Sequence, residues 1–335
     1  AIFSGDTLFL GDVGRPDLAQ KAANISQEEL AGILYESLWE KIMPLPDDVL
    51  IYPAHGAGSA CGKNLSKETV GTLGEQKRKN YALREDMTKE EFISEVTKDL
   101  LPAPQYFPLN VKMNMEGYKH IDTVLESGTK SLSLNEFEAI ANENEAIILD
   151  VRHQNEFAKG HIPKSIFIGI DGGFAPWAGS IIGNISQPIL LVTPKGREKE
   201  TVTRLARVGF DNTLGYLEGG TEIWDKAGKN LDSVNSVDTD ALKQLMERDN
   251  IKIFDVRKPQ EYQSEHVTNA FSTPLDFINE HLSEFPSNLP FYIHCAGGYR
   301  SMIAASILKR MEIHNIIDIK GGFTKIKEAG IEVSN

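Results

Sequence analysis

The chain has 335 residues, 41% hydrophobic and 25% charged, with two cysteines, Cys61 and Cys295. That composition builds cores for two or three domains and excludes a disordered tail, a collagen and a disulfide-stapled mini-protein. A formal charge of -13 without any Lys/Arg-rich run argues against nucleic acid and membrane surfaces as partners, and two distant thiols with no signal-peptide pattern or long apolar run point to the cytoplasm.

Ala1-Ile2-Phe3-Ser4-Gly5-Asp6 is an apolar strand running straight into a Gly-Asp turn, so the chain is expected to begin inside a domain. Ser26 followed by Glu29 satisfies the free amides of a helix start, after which Leu30, Ile33, Leu34, Leu38 and Ile42 share one apolar face. Pro44 and Pro46 stop that helix, and Val49 to Tyr52 reads as a strand ending at Pro53-Ala54-His55. Residues 62 to 130 are charged, helix-prone and broken by Pro102, Pro104 and Pro108, which suits the end of a first domain plus a linker.

An internal repeat follows. Ile147 to Arg152, Glu156-Phe157 and Gly160-His161-Ile162 return as Lys252 to Arg257, Glu261-Tyr262 and Glu265-His266-Val267, an offset of 105 residues. Farther on, Gly219-Gly220 with Trp224 answers Gly321-Gly322 with Phe323 at an offset of 102, so the second copy is three residues shorter between its His and its Gly-Gly. Each copy alternates short apolar strands (Ala146 to Leu149, Ile189 to Val192; Ile251 to Phe254, Phe291 to His294) with helical patterns (Thr201 to Val208; Met302 to Arg310), the sequence form of a parallel sheet covered by helices. The domains are therefore expected at 1–130 with the linker, 131–231 and 232–335.

In the second copy the strand Phe291 to His294 runs into Cys295-Ala296-Gly297-Gly298-Tyr299-Arg300-Ser301 and then a helix. A cysteine where a strand's end meets a helix start, among glycines that let backbone amides converge, is a thiolate or anionic-sulfur cradle. Arg300 adds positive charge at its rim. A phosphatase loop shares the Cys-to-Arg plan with five residues between the two where this one has four, Ala296 to Tyr299, and the smaller ring favours sulfur over phosphate. A buried cysteine that merely packs is the ordinary alternative for an isolated residue.

Asp255-Val256-Arg257, Glu261-Tyr262, His266, the Cys295 to Ser301 loop and Gly321-Gly322-Phe323 together resemble the rhodanese sulfurtransferases over roughly residues 234 to 335. The resemblance implies that Cys295 accepts a sulfane sulfur as a persulfide and hands it to a nucleophile. Asp255 reads as a buried carboxylate bracing the loop and His266 as structural. The first copy carries Thr193-Pro194-Lys195-Gly196-Arg197-Glu198 where the second has its Cys loop. Threonine has no accessible ionised form and Pro194 lacks an amide, so this copy resembles an inactive rhodanese domain.

At the other end, Phe3 to Phe9, Gly11-Asp12-Val13-Gly14-Arg15-Pro16-Asp17 and Tyr52-Pro53-Ala54-His55-Gly56 resemble the second half of metallo-β-lactamase-fold enzymes, and Gly-Arg-x-Asp is most like their persulfide dioxygenase branch. The fold class is thus α/β, a partial metallo-β-lactamase (αββα) domain followed by two rhodanese-like domains with parallel sheets. Asp6 matches that branch's Asp ligand of one non-haem Fe(II), and His55 matches the superfamily's last metal-motif His, which in the mono-iron branch need not bind. The superfamily's upstream His cluster is not among the eight histidines, so it is expected to lie before Ala1. Cys61 reads as an auxiliary sulfur acceptor or as a packed loop residue. The whole resembles bacterial persulfide dioxygenase–sulfurtransferase fusions, which implies a low-molecular-weight thiol persulfide and O2 as substrates, with sulfite formed and thiosulfate released. A glyoxalase II-like thioesterase with zinc, fused to rhodanese, and a non-enzymatic persulfide carrier or sensor remain open, as does a homo-oligomer.

Overall fold

The apolar stretches at Ile2–Gly5 (β1) and Leu50–Pro53 (β4) lie side by side as parallel strands, Ile2 opposite Ile51 and Phe3 opposite Tyr52. Between them Leu8–Phe9 (β2) and Asp12–Val13 (β3) form a small antiparallel hairpin, and Gly71–Thr72 (β5) adds an antiparallel edge to β4. Because β1 and β4 run the same way, their carboxyl ends deliver Asp6 and the loop holding His55 to one edge of the sheet, where the Ala54 amide donates to the Gly5 carbonyl. The computed structural model describes residues 1–20, 25–57, 59, 61–63, 65–98, 100 and 106–335. Ala1–Tyr118 and Lys119–Asn335 form two separate compact units.

In the first unit the helix Gln27–Ser37 starts at Ser26 with both capping-box hydrogen bonds in place, and a wider turn carries it on to Ile42. Its inward face differs from the expected stripe. Ala31 and Gly32 are buried where the Lys89 and Ile93 side chains of the helix Lys89–Thr97 come close, whereas Ile33 is 54% exposed. Close approach of the second helix selects small residues and rotates the contact away from Ile33. Leu8, Leu38, Ile51, Leu73 and Phe92 fill the core. Pro108 opens the helix Phe107–Glu116 instead of breaking one, because the first turn needs no amide there; Pro102 and Pro104 lie outside the described residues.

The second unit holds the repeat. Ser131–Leu132 (β6), Ile147–Asp150 (β7), Ile166–Phe167 (β8), Ile189–Val192 (β9) and Thr213–Leu217 (β10) form a parallel sheet in the order β6-β10-β9-β7-β8. In the second copy Asn235–Val237 (β11), Ile253–Asp255 (β12), Phe271–Ser272 (β14), Phe291–His294 (β15) and Ile316–Ile319 (β16) repeat it as β11-β16-β15-β12-β14. The antiparallel ribbon of His266–Val267 (β13) with Val333–Ser334 (β17) has its counterpart in the bridge between His161 and Asp232.

The repeated residues have repeated roles. Asp150 and Asp255 are fully buried, and each takes a forked ion pair from the arginine two residues on. The rings of His161 and His266 stack on Phe157 and Tyr262, and each Nδ1 lies 2.9 Å from the carbonyl of the residue beneath it. Arg152 donates to the Thr221 hydroxyl, and Arg257 lies 3.7 Å over the Phe323 ring, so Thr221 and not Trp224 stands at the place of Phe323. Among the described residues no helix is long and apolar enough to cross a membrane.

The two copies share one element. The helix Tyr299–Arg310, which follows the Cys295 loop, lies along the edge strand β8 of the first copy. Ser306 Oγ accepts the Phe167 amide at that edge, Arg310 donates to the Lys164 carbonyl, and Lys309 Nζ lies 2.8 Å from Asp232 Oδ1. A sheet edge leaves backbone groups unpaired, and here a helix of the neighbouring copy satisfies one of them.

Candidate functional site

β15 is buried throughout and delivers Cys295, itself 1% exposed, to the start of the helix Tyr299–Arg310. Gly298 has φ +100°, a conformation that glycine adopts without strain, and this turns its amide back to donate to Cys295 Sγ at 3.1 Å. The helix therefore begins at Tyr299, three residues ahead of the apolar signal at Met302. Its first amides have no partner within the helix and carry its positive pole.

The Gly321-Gly322 turn presses on the loop from the far side. The Phe323 amide donates to the Cys295 carbonyl at 2.7 Å, and a Cβ on Gly322 would overlap that carbonyl oxygen. This close approach is what the glycine pair provides. The Asp255 carboxylate accepts the Arg257 amide and holds its guanidinium, while the Thr273 amide donates to the Asp255 backbone carbonyl. His294, fully buried, keeps Nε2 without a hydrogen-bond partner among the described residues, and burial pushes its pKa down.

The other loop side chains are individually anchored. Arg300 is not a free charge at the rim: it makes a forked pair with Glu261 at 2.5 and 2.9 Å. Ser301 Oγ donates to Asp318 Oδ1 at 2.6 Å, and burial pushes the Asp318 carboxyl up to about 7. The Tyr299 side chain turns into the first copy, where its hydroxyl donates to the Gly169 carbonyl at 2.6 Å. Ala296 is partly buried and Gly297 exposed.

The first copy keeps the loop's glycine turn without its thiol. Gly196, three residues after Thr193 as Gly298 is after Cys295, has φ +84°, but its amide donates to Glu198 Oε1 at 3.0 Å, with Thr193 Oγ1 3.4 Å from the same oxygen. The loop's own carboxylate, standing where Arg300 stands in the second copy, takes up the amide that faces sulfur there.

In the first unit Asp6 Oδ1 lies 3.2 Å from His55 Nε2, and these two and Cys61 bring their ligand atoms within 4.8 Å of one another. Asp6 and His55 are 61% and 42% exposed at the side chain, so a solute reaches them. Burial, with the Asp6 charge adding, pushes the Cys61 thiol up. The Arg15 amide donates to the Cys61 carbonyl, and the Arg15 guanidinium pairs with Asp17 at 2.7 Å, which ties the Gly-Arg-x-Asp turn to this loop. Gly58 and Ala60 of the loop lie outside the described residues.

The model of the rhodanese-like domain matches residues 133–227 and 238–329, more than half of the chain. The chain belongs to the rhodanese-like domain family. It is also similar to "Persulfide dioxygenase ETHE1, mitochondrial" of Bos taurus, 35% identical over 113 residues, covering 34% of this chain and 37% of that protein. The "Putative sulfur carrier protein YrkF" of Bacillus subtilis (strain 168) is 29% identical over 108 residues, covering 32% and 57%. Among solved structures, a metallo-beta-lactamase from Staphylococcus aureus subsp. aureus COL is 32% identical with a TM-score of 0.54, covering 64% of this chain and 58% of that one. The chain thus spans less than two thirds of the length of each of these relatives. It joins a metallo-β-lactamase-like portion to two rhodanese-like domains of the mixed α/β class.

Glu261 and Asp318 gain roles that motif reading did not give them. Glu261 was visible as a repeated residue, but its partner is 39 positions away. Asp318 sits in an apolar strand, and a lone acid there was the available signal.

Proposed function

We propose that this chain is an enzyme of sulfur metabolism, working in the cytoplasm, in which Cys295 carries a sulfane sulfur and the metallo-β-lactamase-like portion oxidises a thiol persulfide. The division taken is 1–130 with the linker, 131–231 inactive and 232–335 active. The observation that carries the reading is the Gly298 amide on Cys295 Sγ at a helix start, against a first copy whose equivalent amide is satisfied by Glu198.

In sulfur transfer the Cys295 thiolate attacks the outer sulfur of a donor persulfide, a new S–S bond forms, and the donor thiolate leaves. Sulfite then attacks the outer sulfur of Cys295–S–S⁻, the S–S bond to Cys295 breaks with its electron pair on Sγ, and thiosulfate departs. The Gly298 amide and the helix start stabilise the anionic sulfur at both stages. Arg300, anchored by Glu261, is the cationic group nearest along the loop.

The convergent carboxylate, imidazole and thiol of Asp6, His55 and Cys61 fit a metal, with Asp6 and His55 as the holding residues and Cys61 beside them. One non-haem Fe(II) there would supply activation of O2 for oxidising the persulfide's outer sulfur to sulfite. Similarity to the bovine persulfide dioxygenase supports a persulfide and O2 as substrates over a thioester as the substrate of a zinc hydrolase.

The test is the full-length protein analysed for metal, O2 uptake and thiosulfate formation on addition of a low-molecular-weight thiol persulfide. Bound iron that falls in Asp6→Ala, O2 uptake and many turnovers are expected. Zinc with thioester hydrolysis and no O2 uptake, or a reaction that stops after one equivalent, overturns the reading.

A further inference from the structure

Three consecutive residues of the Cys295 loop, Gly298 to Arg300, have three different anchors. Gly298 gives its amide to Sγ, Arg300 pairs with Glu261 of the same copy, and Tyr299 between them is held by the other copy. The Tyr299 ring is largely buried, lies edge-on to Phe167 at 5.9 Å, and satisfies its hydroxyl on the Gly169 carbonyl. A buried tyrosine needs such an acceptor, and burial raises its pKa, so it stays a neutral donor. The receptor is shaped for it: a Cβ on Gly172 would overlap the Tyr299 ring. Gly172 has no positive φ to explain it, so the room it leaves for the ring is its structural reason.

The receptor loop is itself fixed inside the first copy. Arg204 donates to the Ile170 carbonyl, and Asp171 pairs with Arg197 at 2.5 Å, a residue of the degenerate Thr193 to Glu198 loop. The loop that lost its cysteine therefore buttresses the segment that receives Tyr299. A displacement of the Tyr299 backbone would carry with it the flanking residues, Gly298 with the amide on Sγ and Arg300 with the guanidinium on Glu261.

From this juxtaposition we infer that Tyr299 is a positioning residue for the Cys295 site and that the first copy, through the Gly169 carbonyl and the space at Gly172, supplies its seat. The inference rests on the reading of Cys295 as the sulfur-carrying group, and gives the inactive copy a part in that site's geometry.

Gly172→Ala and Tyr299→Phe in the full chain test it, with two measurements: steady-state sulfur transfer from thiosulfate to a small thiol or cyanide, and the rate of iodoacetamide modification of Cys295 at neutral pH, resolved by peptide mass spectrometry. Gly172→Ala, a change in the copy without Cys295, is expected to lower kcat by about tenfold or more, since small misplacements of reacting groups are costly. KM should move far less, and modification of Cys295 should slow. Tyr299→Phe, which keeps the ring and removes one neutral hydrogen bond, is expected to lose about threefold to fivefold in kcat. It also keeps the test alive should Gly172→Ala fold poorly. Thermal midpoints within a few degrees of wild type for Tyr299→Phe, together with the kcat loss, separate positioning from loss of fold.

If the wild type transfers sulfur and both variants match it in kcat and in Cys295 modification, the inference is wrong while the proposed function stands. If the wild type transfers no sulfur but both variants slow Cys295 modification, the positioning role stands and the proposed function falls.

Discussion

At Cys295 a thiol gains its chemistry from backbone more than from side chains. The Gly298 amide reaches Sγ, and the positive pole of the helix start lies beside it, while the arginine that loop reading put at the rim is held by Glu261. Cys295→Ser keeps that backbone and removes the ionisable sulfur, so sulfur transfer should vanish while O2 consumption, proposed for the other unit, stays. A mutant that still moves sulfane sulfur at the wild-type rate would sink the assignment. Asp318, anchored by Ser301 of the same loop, gives a pH signature. Its folded value is raised from 3.8 to about 7, mainly by burial, so between those values the folded protein holds a proton that the unfolded chain releases. Stability from this group is complete below its ordinary value and is lost as pH rises through about 7. Asp318→Asn cannot ionise. Relative to wild type it should therefore be more stable at about pH 8 than at about pH 5, and thermal midpoints shifting equally at both would refute the linkage.

At the scale of elements, the strands were readable because their apolar runs are short and bounded, and the repeat because Asp-Val-Arg and His keep both identity and offset. What the loops do was only half readable. The thiol, the glycines and the following helix are local, but the partners of Arg300 and Tyr299 lie 39 and 130 positions away, where no periodicity points. Ile33 shows the same limit: helical spacing turned it inward, and the approach of a second helix turned it out. The degenerate loop was legible as a lost cysteine, and the structure adds why one substitution should not restore it. Glu198 already occupies the Gly196 amide, and a thiolate at 193 would meet that carboxylate as well as lack the Pro194 amide. Lys195 and Arg197 offset this in part, although Arg197 is committed to Asp171 and Glu200. In a Thr193→Cys, Cys61→Ser, Cys295→Ser background the alkylation rate against pH should show a thiol no more acidic than the free value of about 8.5. A clearly lower midpoint, with persulfide formed from a sulfur donor, would show a working cradle in the first copy.

Within the second unit, duplication has produced two sheets of identical strand order that share a helix. The same helix carries the Cys295 loop at its start and the junction at its end, where Lys309, 6% exposed at the side chain, pairs with Asp232 of the segment joining the copies. His161 Nε2 and His314 Nδ1 each lie 3.8 Å from the other Asp232 oxygen, so the carboxylate gathers groups from both copies. An ion pair of this kind is a poor source of net stability, because desolvation offsets attraction, but removing one partner leaves the other charge in a half-buried site. Lys309→Met keeps the unbranched apolar stem of the side chain and removes the charged amine. It should cost about 2 kcal/mol, below the range for fully buried pairs because Asp232 retains contact with water. The cost falls on the junction and not on either core, so the expected form is a change of cooperativity. Urea unfolding of the wild-type second unit, followed by Trp177 and Trp224 in the first copy and by Cys295 accessibility in the second, should give coincident midpoints. In Lys309→Met the two probes should separate. Coincident probes with an unchanged midpoint would mean that the helix couples the copies through its other contacts with the first copy, those of Tyr299, Ser306 and Arg310 among them, and that the Asp232 cluster is a solvated bystander.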